Sequence, residues 1–196
     1  MSELAMLSRR EVLRILEEGR ARVEELVDRL PRAAMTTVGV GGGAWSPKDL
    51  IGHLASWEEY ALDAIAAWDG GERAPIDDLQ FTLSTSSLND QAVARKAGWA
   101  LAKVRRDADA VHEELLETIR TMSDARWRAP TTPRGRKPLG TRLGAILQGS
   151  GGALFVHDAS HMKSLASFAA TRSAAPPIGA APELRAATRR PTGHAR

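Results

Sequence analysis

The chain has 196 residues, enough for one domain with a sizeable core, and 43% of them are hydrophobic. It has no cysteine, which excludes disulfide scaffolds, zinc–thiolate sites and cysteine nucleophiles and leaves the redox compartment unread. The net charge is +3, yet five arginines (Arg172, Arg185, Arg189, Arg190, Arg196) against Glu183 put +4 after residue 170 and leave −1 on residues 1–170. A body this close to neutral argues against nucleic acid as a partner. No apolar run reaches the roughly 18 residues of a membrane span. The opening MSELAMLSRREVLR is charged early, so a soluble cytoplasmic protein without a membrane partner is expected.

Ser8 and Glu11 form an S-x-x-E capping box at the start of a first helix. Val12, Leu16, Gly19, Val23, Leu26 and Leu30 follow at helical steps, and Pro31 ends the run. The glycine-rich MTTVGVGGGAW reads as a loop. Ser46 as N-cap, Pro47 at the first position and Asp49 in the first turn open a second helix that stops at Gly70-Gly71. Leu50, His53, Trp57, Tyr60, Ala64 and Trp68 share one of its faces. A polar stretch from Glu72 to Ser87 then leads into a third helix, whose apolar step runs from Val93 to Met122 with Gly98 as a bend. SDARWRAPTTPRGRKPLG reads as a loop with a short turn at Ser123. The fourth helix is expected from the region of Leu139–Leu143 to Ala170, with Leu154, His157, His161, Leu165 and Phe168 facing inward. Beyond it, an Ala-, Pro- and Arg-rich tail holds too few apolar residues to offset its ordering entropy. The expectation is an all-α four-helix bundle in residues 1–170 and a disordered basic tail in 171–196. Its helices should be antiparallel, with the second and fourth adjacent.

His157 and His161 stand four apart, which on a helix stacks two imidazoles on one face. Both fall on the apolar stripe of the fourth helix, and His53 falls on that of the second. A buried neutral imidazole needs partners for both nitrogens, and three rings converging in one core can meet that need around a single divalent metal. The plainer alternative is a set of separately satisfied core histidines. His112 is read as structural or as support for a ligand, and His194, in the tail, has no role. Trp57 is a candidate for the substrate pocket, although tryptophans at helical spacing more often belong to a core. Tyr60, the only tyrosine, is the candidate catalytic residue, as a hydrogen-bond donor to substrate. Glu58, Glu59 and Asp158 are expected to face solvent, as is the Glu113-Glu114 run.

WSPKDLIGHLASWEE (Trp45 to Glu59) resembles the second-helix signature of the DinB-like, or YfiT-like, metalloprotein superfamily, whose usual form is W-S-x-K-D-L-x-x-H-L-x-x-W. SLNDQ (Ser87 to Gln91) and HDASH (His157 to His161) resemble two further landmarks of that superfamily. The first and second elements look most like the ClbS/DfsB group and related actinobacterial mycothiol-dependent proteins. The resemblance implies a four-helix bundle with His53, His157 and His161 holding zinc or nickel. It also implies chemistry on an electrophilic small molecule, with or without a low-molecular-weight thiol such as mycothiol. The glycine-rich run before His157 and the arginine-rich tail depart from the shared pattern.

Three neutral histidines leave a tetrahedral cation one open position, the arrangement that activates a water or a thiol. The reading from sequence is therefore a metal-dependent detoxification or self-resistance enzyme, either a thiol S-transferase or a hydrolase. Its alternative is a binding protein that sequesters a toxic natural product without turnover. Either is expected as a monomer or a homodimer.

Overall fold

The structure is a computed structural model and describes residues 6–132 and 135–173. Eight helices are present among them: α1 (Arg9–Asp28), α2 (Pro47–Asp69), α3 (Pro75–Thr82), α4 (Thr85–Lys96), α5 (Leu101–Thr121), α6 (Asp124–Arg128), α7 (Leu139–Ile146) and α8 (His157–Ser173). The described residues contain isolated β-bridges but no strand, and none of their helices is long and apolar enough to cross a membrane. The all-α expectation holds. α8 runs three residues past the expected domain boundary at 170, and the rest of the tail, 174–196, lies outside the described residues.

α1, α2, α5 and α8 form the bundle, in which α8 packs on α1, α1 on α5, α5 on α2 and α2 on α8. Capping boxes start both α1 and α2: the Ser8 hydroxyl accepts from the Glu11 amide, and the Ser46 hydroxyl accepts from that of Asp49. One apolar cluster joins Val12 and Leu16 of α1 to Ala61–Trp68 of α2 and to Leu115 and Ile119 of α5. A second joins Val23 and Val27 of α1, Leu50 and Leu54 of α2, Val104 and Ala108 of α5, and Leu165 and Phe168 of α8. The early half of α1 thus meets the late halves of α2 and α5. Consequently α2 and α5 run parallel, as do α1 and α8, which corrects the antiparallel expectation. A parallel pair needs a crossover, and α3 and α4 supply it.

Two further expectations are corrected. The stretch read as a polar link contains α3, started by Pro75 with Asp77 and Asp78 in its first turn. The long third helix is two helices, broken between Lys96 and Leu101. The inward face of α4 is Leu88, Ala92 and Lys96, not Val93 and Ala97. Lys96 is buried there because its ammonium meets Glu59 at 2.6 Å and Asp107 at 2.5 Å.

The fourth helix is also divided. Between α7 and α8, Gly151 and Gly152 take positive φ (90° and 80°), and Phe155 does so as well at 63°. A bulky side chain in that region is strained, and Phe155 is held there by burial and by stacking on Trp127, centroids 6.1 Å apart. The glycine run therefore folds a loop, and α8 begins at His157 itself. Leu154 precedes the helix. The short turn expected at Ser123 is α6, with the Ser123 hydroxyl accepting from the Arg126 amide.

Candidate metal centre

Between the two apolar clusters lies a buried polar layer that contains all three candidate ligands. His53 and His157 are buried and His161 is half-buried. Each offers a ring nitrogen within 4.8 Å of the other two. Nε2 of His157 stands 3.1 Å from Nε2 of His53 and 3.4 Å from Nε2 of His161. One ring nitrogen carries either a proton or a lone pair in the ring plane, so it cannot serve two such partners at once. A cation bound by three lone pairs removes that conflict. Zinc–nitrogen bonds near 2.0–2.1 Å in tetrahedral geometry place ligand nitrogens about 3.3 Å apart, so the three residues fit the group.

Burial and mutual repulsion keep these rings neutral. Burial, then His157 and His161, push His53 down to about 2. Burial and then His161 push His157 down to about 4. Burial lowers His161 as well, against the pull of Asp158. Neutral imidazole is the form that binds metal.

Packing positions the first ring. The loop before α2 folds back through a Val40–Trp45 bridge, with Gly41 and Gly42 at positive φ in its turn. This lays Trp45 against His53, centroids 4.7 Å apart.

A cleft of about 430 Å³ opens onto the imidazoles, lined by Trp57, Asn89, Gln148, Ser160 and Ser164 among others, with His157 and His161 in its wall. The Trp57 indole donates to Asn89 Oδ1 at 3.1 Å, which joins α2 to the SLNDQ segment. Tyr60 does not line this cleft. It is buried edge-on against Trp57, 5.8 Å between centroids, with Arg95 over its ring.

Glu58 and Asp158, expected in solvent, are buried at 1% and 8% exposure. Arg20 of α1 explains both, since its Nη2 donates to Glu58 Oε2 and its Nε to Asp158 Oδ2, each at 2.8 Å. Burial works against that charge, but Asp158 and Glu58 together hold the Arg20 pKa above its ordinary value. The other Glu58 oxygen meets His112 Nδ1 at 2.6 Å. His112 is therefore a supporting residue of the layer. Glu59 is largely buried against Lys96, whereas Glu113 and Glu114 are exposed as expected.

The sequence profile of the DinB superfamily matches residues 15–164. The chain belongs to the DinB superfamily. Its fold is similar to that of an uncharacterised protein from Escherichia coli UTI89, with a TM-score of 0.66 at 12% identity over 85% of this chain and 95% of that one. It is also similar to a mycothiol-dependent maleylpyruvate isomerase, with a TM-score of 0.56 at 15% identity over 88% of this chain and 63% of that one. No curated protein matches this DinB-superfamily chain.

Proposed function

We propose that the protein is a divalent-metal-dependent enzyme, working in the cytoplasm, that joins a low-molecular-weight thiol to an electrophilic small molecule and so detoxifies it. The observation that carries this reading is the convergence of three neutral imidazoles, two of which (His157 and His161) line a cleft large enough for a small molecule. His53, His157 and His161 would hold zinc or nickel. When bound, the metal would supply Lewis acidity that favours the deprotonated form of a thiol or a water. Thiol is favoured over water because thiolate is the better nucleophile toward carbon at neutral pH. The likeness to a mycothiol-dependent isomerase supports the same choice of cosubstrate.

The chain's own residues would bind and orient. Trp57 offers an apolar wall, held by Asn89, against which the electrophile can lie. Gln148, Ser160 and Ser164 offer neutral hydrogen-bonding groups around it. This lining suits an uncharged polar substrate. Tyr60 would act through Trp57, as its packing partner, more than on the substrate.

The test offers a soft alkylating electrophile to zinc- or nickel-loaded protein, with and without a low-molecular-weight thiol, and follows products by mass. A thiol adduct formed faster than in protein-free and chelator-treated controls supports the transferase. A water adduct in place of the thiol adduct makes it a hydrolase. Stoichiometric binding without product, indifferent to chelator, means sequestration and overturns the enzyme reading.

A further inference from the structure

Among the described residues no hydrogen bond behind the imidazoles orients two of them, because Nδ1 of both His53 and His157 is buried without a hydrogen-bond partner. Metal-binding histidines usually gain their orientation from an acceptor at that second nitrogen. Apart from the packing of Trp45 on His53, the nitrogens are placed only as well as the helices that carry them, α2 and α8. Those two helices make little direct contact, and α8 packs chiefly on α1.

One side chain spans the gap. Arg20 of α1 donates to Glu58 of α2, to Asp158 of α8 and, from Nη1 at 3.4 Å, to the Ala108 carbonyl of α5. Its guanidinium therefore touches all three other helices of the bundle. Asp158 directly follows His157, and Glu58 lies about a turn and a half beyond His53. α1 and α8 are close here, since a Cβ on Gly19 would stand in van der Waals contact with the Asp158 Cβ, at 3.4 Å. A buried ion group of this kind is weak evidence for added stability, because apolar substitutes often stabilise as well or better. Its value lies in the fixed fork of the guanidinium, which sets two carboxylates at one distance and angle.

We propose that Arg20 is a positioning residue for the imidazole triad: by clamping Asp158 to Glu58 it fixes α8 against α2 and so sets the spacing of the ring nitrogens. The consequence for metal binding rests on the reading above, whereas the clamp itself does not.

The experiment has two arms on the full chain. Arg20→Lys keeps every charge and loses the fork. The triple variant Arg20→Met/Glu58→Gln/Asp158→Asn removes the buried charges together, which guards against unfolding from a stranded carboxylate. In chelator-treated protein, amide exchange is followed in peptides covering residues 157–165 and, as reference, residues 113–121 of α5, beyond the contacts of Arg20 and Glu58. In the second arm, Co²⁺ is titrated and its visible absorption recorded.

The expected result is exchange at least about tenfold faster near residues 157–161 in both variants, with residues 113–121 unchanged. Co²⁺ should bind roughly tenfold more weakly, with altered band intensities. Unchanged exchange near residue 157, or equal acceleration in every helix, overturns the clamp. Wild-type protein that binds no Co²⁺, while the exchange arm comes out as expected, overturns the metal reading and leaves the clamp supported.

Discussion

The polar layer crossing the bundle has two halves built on opposite terms. On one side Arg20, Glu58, Asp158 and His112 are matched donor to acceptor, at 2.6–2.8 Å. On the other, His53, His157 and His161 turn like nitrogens toward each other, and two of the rings have no partner at their far side. The cleft reaches His157 and His161, but the two unpartnered Nδ1 atoms are buried away from it, so bulk water does not match them. A native core rarely leaves polar groups unmatched without a reason. The matched half makes sense as scaffold and the unmatched half as a place for a ligand, which is why we propose the imidazoles as the place where a cation would bind.

The sharpest way to break this contrast is to delete a ring. His53→Ala and His157→Ala should each weaken Zn²⁺ binding by more than about 100-fold in a chelator competition, with the helical circular dichroism signal retained. Unchanged affinity in either variant would end the shared-metal idea.

Next in size is the scaffold half. Arg20→Met alone strands two buried carboxylates and should cost about 3–5 kcal/mol in urea unfolding. Adding Glu58→Gln and Asp158→Asn to the same chain should recover most of that loss. A cost below about 1 kcal/mol for the single change would mean that the pairing is not maintained in solution.

The third test uses acid on metal-free protein. The folded-state pKa values of the triad lie below the ordinary histidine value, so between the two the unfolded chain binds more protons and stability rises with pH. Stability should therefore be fully present above about 6.5 and fall as pH drops toward 4, by on the order of 3 kcal/mol from His157 alone. His157→Gln should flatten the curve measured by urea unfolding at successive pH values. A curve as steep as that of the wild type would place the acid sensitivity elsewhere.

The smallest effect is expected at Tyr60. Tyr60→Phe should change turnover by less than about twofold, since the ring packs behind Trp57 and the variant keeps it. A tenfold loss would restore to the hydroxyl the direct role its sequence position suggested.

Much of this arrangement was legible in the chain. Helical period placed His53, His157 and His161 on inward faces, the Ser46 cap marked the start of α2, and the structure brings those rings together. What escaped was the depth of the charged residues. Asp158 lies about 100° around the helix from His157 and looks exposed when α8 is read alone, but α1 covers that side. The signal for this was present in α1, where Arg20 falls at a helical step between Leu16 and Val23. Lys96, in step with Leu88 and Ala92, is the same case. A charge on an apolar stripe asks for a buried counter-charge, and only the packed bundle reveals which one. The helix breaks near Gly98 and Gly149–Gly152 were marked only by their glycines, since a helical pattern of apolar residues can run on across a gap that the backbone makes.

The loop ahead of α8 has a mechanical consequence. Gln148, Gly149 and Ser150 form part of the cleft wall, and the His157 amide at the far end of the same loop donates to the Leu147 carbonyl at 3.2 Å. Phe155, stacked on Trp127, anchors the intervening backbone to the core. The cleft wall and the His157 imidazole therefore belong to one loop whose two ends are tied by a hydrogen bond.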